Sequence, residues 1–434
     1  MSELDQAIVR NAERAFGLLA DLVAAPSVVG SEQAALEVFA RELVDLGLDV
    51  ERLPFPAGPV DDERAGVCQP LPPGDDRYQV LGTTPGEGPL SLLLNGHMDV
   101  VPAGTPHLWA SAPFTPTRRG GRLYGRGAGD MKGGFAIGAL ALRALREVEP
   151  TLFTHRRLGF LAVIEEECTG NGALAAARQG VLADAVVLLE PTDLGLMLGG
   201  VGVLWVDVEV RGTAAHAESA DLGANPVDLG MRVVQGLRRW CDTLADADPD
   251  AGLAQVRSPY NLNLGGVCAG DWHSSVPASA TFRLRVGFPR AWTPARAETE
   301  VRAAVLAISD ADPDFPAPPA VATTGLRAQG YELAADHPLV AAMSEAHRDA
   351  HGALPRTFSM GSTTDARTYL NDFGVPALCF GAVAHDIHGV DESVELASIV
   401  DGARTLARFL HTRFSAVPPA AASAARSTSL GATP

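Results

Sequence analysis

No CxxC pair occurs in this chain: its five cysteines, Cys68, Cys168, Cys241, Cys268 and Cys379, are odd in number and widely scattered. That favours neither a thiolate zinc site nor a disulfide framework, so a reducing compartment, the cytoplasm, is expected. Positive charge is also scarce: the formal net charge is -18. Phosphate backbones and anionic lipids are gripped by clustered cations, so neither nucleic acid nor a membrane is expected as a partner. No apolar run approaches the roughly 18 residues of a membrane span. The opening MSELDQAIVRNAERAF has acidic residues early and no basic segment leading into an apolar one, so it does not read as a secretory signal. A phosphate-binding GxxxxGK[ST] loop is missing too, because Gly133 follows Lys132 where Ser or Thr is required. There is no internal repeat.

What is present is a soluble-protein composition, 47% hydrophobic and 20% charged, over 434 residues. A single core usually stops growing short of that length, so two domains are expected. Ile8, Phe16, Leu19, Leu22 and Val23 recur at helical spacing up to Pro26, and a second helix is expected from a Ser31 cap to Gly47. A stretch rich in Pro and Gly runs from Pro54 to Gly88, with YQVLGTT as a strand inside it. Apolar runs then alternate with helical patterns: SLLLNGHMDVV, MKGGFAIGALALRALREV, LGFLAVI, GALAAARQG and AVVLLE. This pattern predicts an α/β fold, a mostly parallel sheet flanked by helices, with active groups just beyond the carboxyl ends of the strands.

From about Gly195 the texture changes to half-exposed strands, GVLWVDVEVRG and TFRLRVGFP, around an amphipathic NPVDLGMRVVQGLRRW. The expected organisation is a first catalytic part at 1–195, an inserted α+β domain at 196–313, a second catalytic part at 314–414 and a disordered tail at 415–434.

Five stretches carry side chains with chemistry. GHMDVVP places His97 and Asp99 on one face of a strand, as an imidazole and an orienting carboxylate, or simply as a strand-end pair. GRGAGDMKGG holds Asp130 at a helix entrance among glycines, as a ligand or an ordinary cap. AVIEEECTGNG ends an apolar strand in Glu165, Glu166 and Glu167, and LLEPTD ends another in Glu190. Unpaired carboxylates beside a buried sheet are costly, and a divalent ion removes that cost. AHDIHGVDE adds His385 and His388 after VPALCFG. Two histidines with several carboxylates suit zinc, cobalt or manganese, and an Asp bridging two ions makes a dinuclear hydrolytic centre.

In this order, GHMDVVP, GRGAGDMKGG, EEECTGNGA, EPTD and HGVDE closely resemble the dinuclear zinc hydrolases that include aminoacylase, acetylornithine deacetylase, succinyl-diaminopimelate desuccinylase and carboxypeptidase G. The resemblance runs from the first helix to about Leu410. It implies two divalent ions per subunit, zinc before cobalt or manganese, with His97 and Glu190 on one, Glu167 and His388 on the other, and Asp130 between them. It makes Asp99 the support of the His97 imidazole and Glu166 the general base, the choice between Glu166 and Glu167 following from Gly172, five residues after Glu167. It also implies a cis peptide after Asp130.

The inserted segment matches the family's lid or dimerisation domain. His216 then stabilises an oxyanion in the neighbouring subunit of a homodimer, and Asn225 holds substrate; without the resemblance His216 reads as a surface histidine. Arg367 in GSTTDART is a substrate-carboxylate ligand or a structural partner of Asp365 or Asp372. Gly381, in GAV where relatives have GPG, also falls in the substrate-binding set, and RLRVGFP departs from the usual Asp-x-Arg, leaving Arg283 or Arg285 as stand-ins. The implied activity is hydrolysis of the amide of a small N-acyl amino acid. A dipeptidase or glutamate-releasing carboxypeptidase acting on short peptides is the alternative, and a catalytically silent dimeric binding homologue is the reading from another class.

Overall fold

The computed structural model describes residues 2–56, 60–68, 77–247 and 249–415; the central part of the Pro-rich stretch and the expected tail beyond 415 lie outside these. Among the described residues nine strands form the larger sheet, in the order Asp49–Pro54, Tyr78–Thr83, Leu158–Val163, Leu92–His97, Val186–Leu188, Ala377–Cys379, Leu196–Gly200 and Tyr331–Glu332, with Thr357–Met360 also paired to Leu196–Gly200. Pairing is parallel through the centre and antiparallel towards both margins. The fold is thus α/β with a mostly parallel, helix-flanked sheet. Leu92–His97 and Leu158–Val163 are buried along their whole length, as strands covered on both faces must be.

One face is covered by the helices Glu3–Ala24, Gln33–Asp45, Gly133–Val148 and Leu396–Phe414. Phe39 meets Phe135 and Phe160 edge-on, with ring centroids 4.8 and 4.9 Å apart. Truncating such a buried ring typically costs about 3–5 kcal/mol, which anchors Gly133–Val148 directly after the Asp130 loop. The helix lies so close to the sheet that a Cβ on Gly134 would fall 2.1 Å from the Leu189 carbonyl oxygen. The second helix starts at Gln33 without the expected Ser31 cap; the capping position is Glu32, whose carboxylate is turned to the Gly30 N–H and to Arg77.

A second, antiparallel sheet orders Leu262–Ala269, Ser279–Phe288, Gly202–Arg211 and Ala320–Ala328. Helices Pro226–Ala247 and Pro294–Asp310 pack on one face through a separate core that includes Val206, Val208, Val233, Phe282 and Val301. This layer and the expected segment 196–313 do not coincide: Leu196–Gly200 pairs inside the larger sheet, and Ala320–Ala328 pairs with Gly202–Arg211. The strand Ala320–Ala328 carries a register shift between Thr323 and Arg327, which breaks the alternation that marks a strand in sequence.

Candidate metal centre

The candidate residues gather where the central strands end. His97 closes its strand, and its Nε2 lies 3.1 Å from Asp130 Oδ1 and 3.9 Å from Glu190 Oε2. His388 Nε2 lies 3.3 Å from the other Asp130 oxygen, Oδ2, and 3.2 Å from Glu167 Oε1. One carboxylate therefore faces two histidines, each with its own glutamate. Ligand atoms of His97, Asp130 and Glu167 lie within 4.8 Å of one another, a spacing one ion can span. The Asp130–Met131 peptide is cis.

The three glutamates part company through the backbone. Glu165 takes φ 64, ending the strand, and its carbonyl accepts the Thr169 and Gly170 N–H groups in a tight turn. Left-handed backbone is uncommon outside glycine, and here it is fixed by the side chain as well. The Glu165 carboxylate pairs with Arg77 and accepts from Thr169 Oγ1 at 2.8 Å, while Arg77 also pairs with Glu32 at 3.0 Å. Gly172, in the first turn of helix Asn171–Arg178, has no room for a side chain: a Cβ would lie 1.9 Å from the Ile164 carbonyl oxygen. Backbone cannot yield as a flexible side chain does, so Gly172→Ala is expected to lower stability by about 1–3 kcal/mol, measured as a fall in the chemical-denaturation midpoint.

Asp99 does a different job from the one expected. The acceptor for His97 Nδ1 is the backbone carbonyl of Asp99, at 2.8 Å, and the carboxylate is 3.8 Å away. That carboxylate instead accepts the N–H groups of Glu166 at 3.3 Å and Glu167 at 3.0 Å. The carbonyl still fixes the imidazole tautomer, leaving Nε2 free for an ion, and the carboxylate holds the acidic turn.

Two further contributors went unread in the sequence. Glu392, fully buried, accepts from Gly127, Gly129 and Asp130 N–H groups at 2.9–3.0 Å and pairs with Arg126. It closes the glycine loop around the Asp130 backbone. The available signal was the loop itself, whose exposed donors need a buried acceptor. Lys132, the only lysine in the chain, is buried and donates to the carbonyls of Leu22 and Ala25 at 2.7 and 3.2 Å, capping the helix Glu3–Ala24.

Burial pushes Glu190 up to about 8 and Glu166 well above the usual carboxylate range, with neighbouring carboxylates adding to both. Hydrogen bonds to Asp130 and Glu167 raise His388 to about 11. So many acids in one dry site need positive charge beside them, and a donor set of two imidazoles and three carboxylates fits divalent ions.

Other expected residues lie elsewhere. His216 is exposed in the short ladder Ala215–His216 with Ser275–Val276, and its Nδ1 accepts the Glu218 N–H. Asn225 Oδ1 accepts the Val227 N–H at 3.0 Å, at the start of helix Pro226–Ala247. Among the described residues, no hydrogen bond or ion pair joins either to the centre. Gly381 packs on the Glu190 backbone, where a Cβ would lie 2.3 Å from the Glu190 carbonyl oxygen. His385 pairs with Glu395 at 2.8 Å. Arg285 donates to Asn261 and to the Gly361 carbonyl. Arg367 borders a separate cavity.

Taken with the fold, this site defines a metal-dependent hydrolase of carbon–nitrogen amide bonds. The sequence profile of peptidase family M20/M25/M40 matches residues 93–412, and the chain belongs to that family. It is 34% identical over 418 residues to the succinyl-diaminopimelate desuccinylase of Methylobacterium sp. (strain 4-46), covering 94% of this chain and 98% of the relative. It is 30% identical over 409 residues to that of Rhodospirillum centenum (strain ATCC 51521 / SW), covering 89% and 94%. Among solved structures, the Saccharomyces cerevisiae di-peptidase Dug1p superposes with a TM-score of 0.78 at 16% identity, covering 95% of this chain and 98% of that one. Human carnosine dipeptidase 1 gives 0.72 at 17% identity, covering 94% and 97%.

Proposed function

We propose that this protein removes the acyl group from a small N-acyl amino acid at a centre of two divalent ions, with zinc as the metal. The observation that carries the dinuclear reading is the division of Asp130: its Oδ1 lies 3.1 Å from His97 Nε2, which is 3.9 Å from Glu190, and its Oδ2 lies 3.3 Å from His388 Nε2, which is 3.2 Å from Glu167. Bound ions supply the Lewis acidity that acidifies water and polarises an amide carbonyl. Glu166 takes the proton of the attacking water and returns it to the leaving amine, a role its burial-raised pKa suits. Asp99 keeps Glu166 and Glu167 in register through their N–H groups, and Glu165 anchors the turn against Arg77. The deacylase reading is supported by the desuccinylase relatives, which align over nearly their whole length. A panel of N-succinyl and N-acetyl amino acids and of dipeptides, assayed on metal-loaded protein, tests it. Turnover of the acyl amino acids above the dipeptides is expected, and the reverse preference would make the protein a peptidase.

The layer from Gly202 to Ala328 serves in this reading as a lid and dimerisation domain. Its edge strand, Leu262–Ala269, leaves Val267 exposed, as does the neighbouring loop Trp272, which supports pairing with a second copy. His216 and Asn225 would then act in the partner's site, where the His216 ring can reach an oxyanion. Mixing His216→Ala subunits with Glu166→Gln subunits is expected to restore activity that neither variant has alone, and no recovery would remove the trans role. The cytoplasm is the proposed compartment, supported by five cysteines without a disulfide. Among the described residues no helix is long and apolar enough to cross a membrane.

A further inference from the structure

Arg367 is one of the most deeply placed cations in the protein, only 8% exposed. Its Nη1 donates to the Thr364 carbonyl at 2.9 Å and lies 3.8 Å from Asp365 Oδ1. Its Nη2 lies against Gly170, where a Cβ would fall 1.6 Å away, and finds no acceptor among the described residues. No ion pair joins Arg367 to Asp372 among the described residues, although both line the same cavity of about 400 Å³. Asp372 is half-buried and likewise without an ion pair there. The cavity lies on the Thr169–Gly170 side of the acidic turn, and none of His97, Asp130, Glu166, Glu167, Glu190 or His388 borders it. The first turn of helix Pro294–Asp310, at Pro294 and Ala295, also lines it.

A mostly buried guanidinium whose outer nitrogen faces a cavity rather than a protein acceptor is left to water or a ligand. Asp372 in the same cavity has Arg64 and Arg367 as neighbouring cations but an ion pair with neither, and makes the opposite demand. A ligand carrying one carboxylate and one ammonium group answers both. The volume admits a molecule of amino-acid size with some water. We propose that this cavity is a second, non-catalytic site for a free α-amino acid, its carboxylate on Arg367 Nη2 and its ammonium on Asp372. Because the walls come from both the large-sheet layer and the antiparallel layer, its occupant touches both and biases their relative placement.

Calorimetric titration of the metal-loaded protein with the common L-amino acids, one at a time, tests this, with acetate and ethylamine as the two half-ligands. The expected result is saturable binding of at least one amino acid, far weaker for either half-ligand. Loss of a charge-assisted contact should weaken that binding about tenfold or more in Arg367→Gln and in Asp372→Asn, and leave it intact in His388→Ala. Asp372 is not fully buried, so Asp372→Asn keeps the test sound if Arg367→Gln fails to fold. Absence of binding by every amino acid would overturn the proposal. So would binding that survives Asp372→Asn but is lost in His388→Ala, which would place the ligand at the metal centre.

Discussion

Replacing Glu166 by Gln is expected to reduce turnover by about 10²–10⁴-fold, the usual worth of a positioned general base, while leaving the metal content unchanged. The separation follows from the turn. Glu167 and Asp130 are the acidic residues near His388 Nε2, and among the described residues Glu166 makes no hydrogen bond or ion pair with either histidine, so the amide keeps the donor set whole. The Glu166 N–H still reaches Asp99, because that bond belongs to the backbone. Metal analysis beside steady-state kinetics checks both halves. Loss of an ion in the Gln variant would make Glu166 a ligand and pass the base role to another group.

Glu392→Gln is expected to damage the centre from behind. The carboxylate oxygens of Glu392 accept three loop N–H groups and the Arg126 guanidinium in a fully buried position. An amide offers a single acceptor oxygen and turns its own donors on those N–H groups, and Arg126 is left buried without its charge partner. Breaking a buried pair in this way costs about 3–5 kcal/mol. Asp130 would lose the bond that fixes its backbone, so metal affinity should also fall by about 10–100-fold, as for other groups that hold a ligand in place. Denaturant unfolding in saturating metal and competition with a chromogenic chelator measure the two effects separately. Unchanged affinity in a folded variant would show that the loop keeps its shape without Glu392.

Part of this candidate centre was legible in the sequence because some of its residues end apolar runs, and strand ends in a parallel sheet converge. His97 after SLLLNG and Glu190 after AVVLL are of that kind. The division of labour in EEE was legible only in part: periodicity shows that the strand must turn, while the turn itself depends on Arg77, 88 residues from Glu165, in a stretch whose sequence reads as irregular. Asp99 lies beside His97, but the imidazole meets its backbone carbonyl, and residue spacing cannot choose between a carboxylate and its own carbonyl. Glu392 was missed for a related reason: its partners are backbone N–H groups, which carry no residue identity. Ala320–Ala328 escaped because its register shift obscures the period-two pattern.

The central claim is that Asp130 stands between two ions. Metal content by plasma mass spectrometry, measured on the wild type, His388→Ala and Asp130→Ala after zinc loading and exhaustive buffer exchange, tests it most directly. The account predicts two ions per chain in the wild type, about one in His388→Ala, none or a trace in Asp130→Ala, and hydrolysis abolished by chelation and restored by zinc or cobalt. A wild type that holds a single ion, or an Asp130→Ala variant that still holds two, would contradict it.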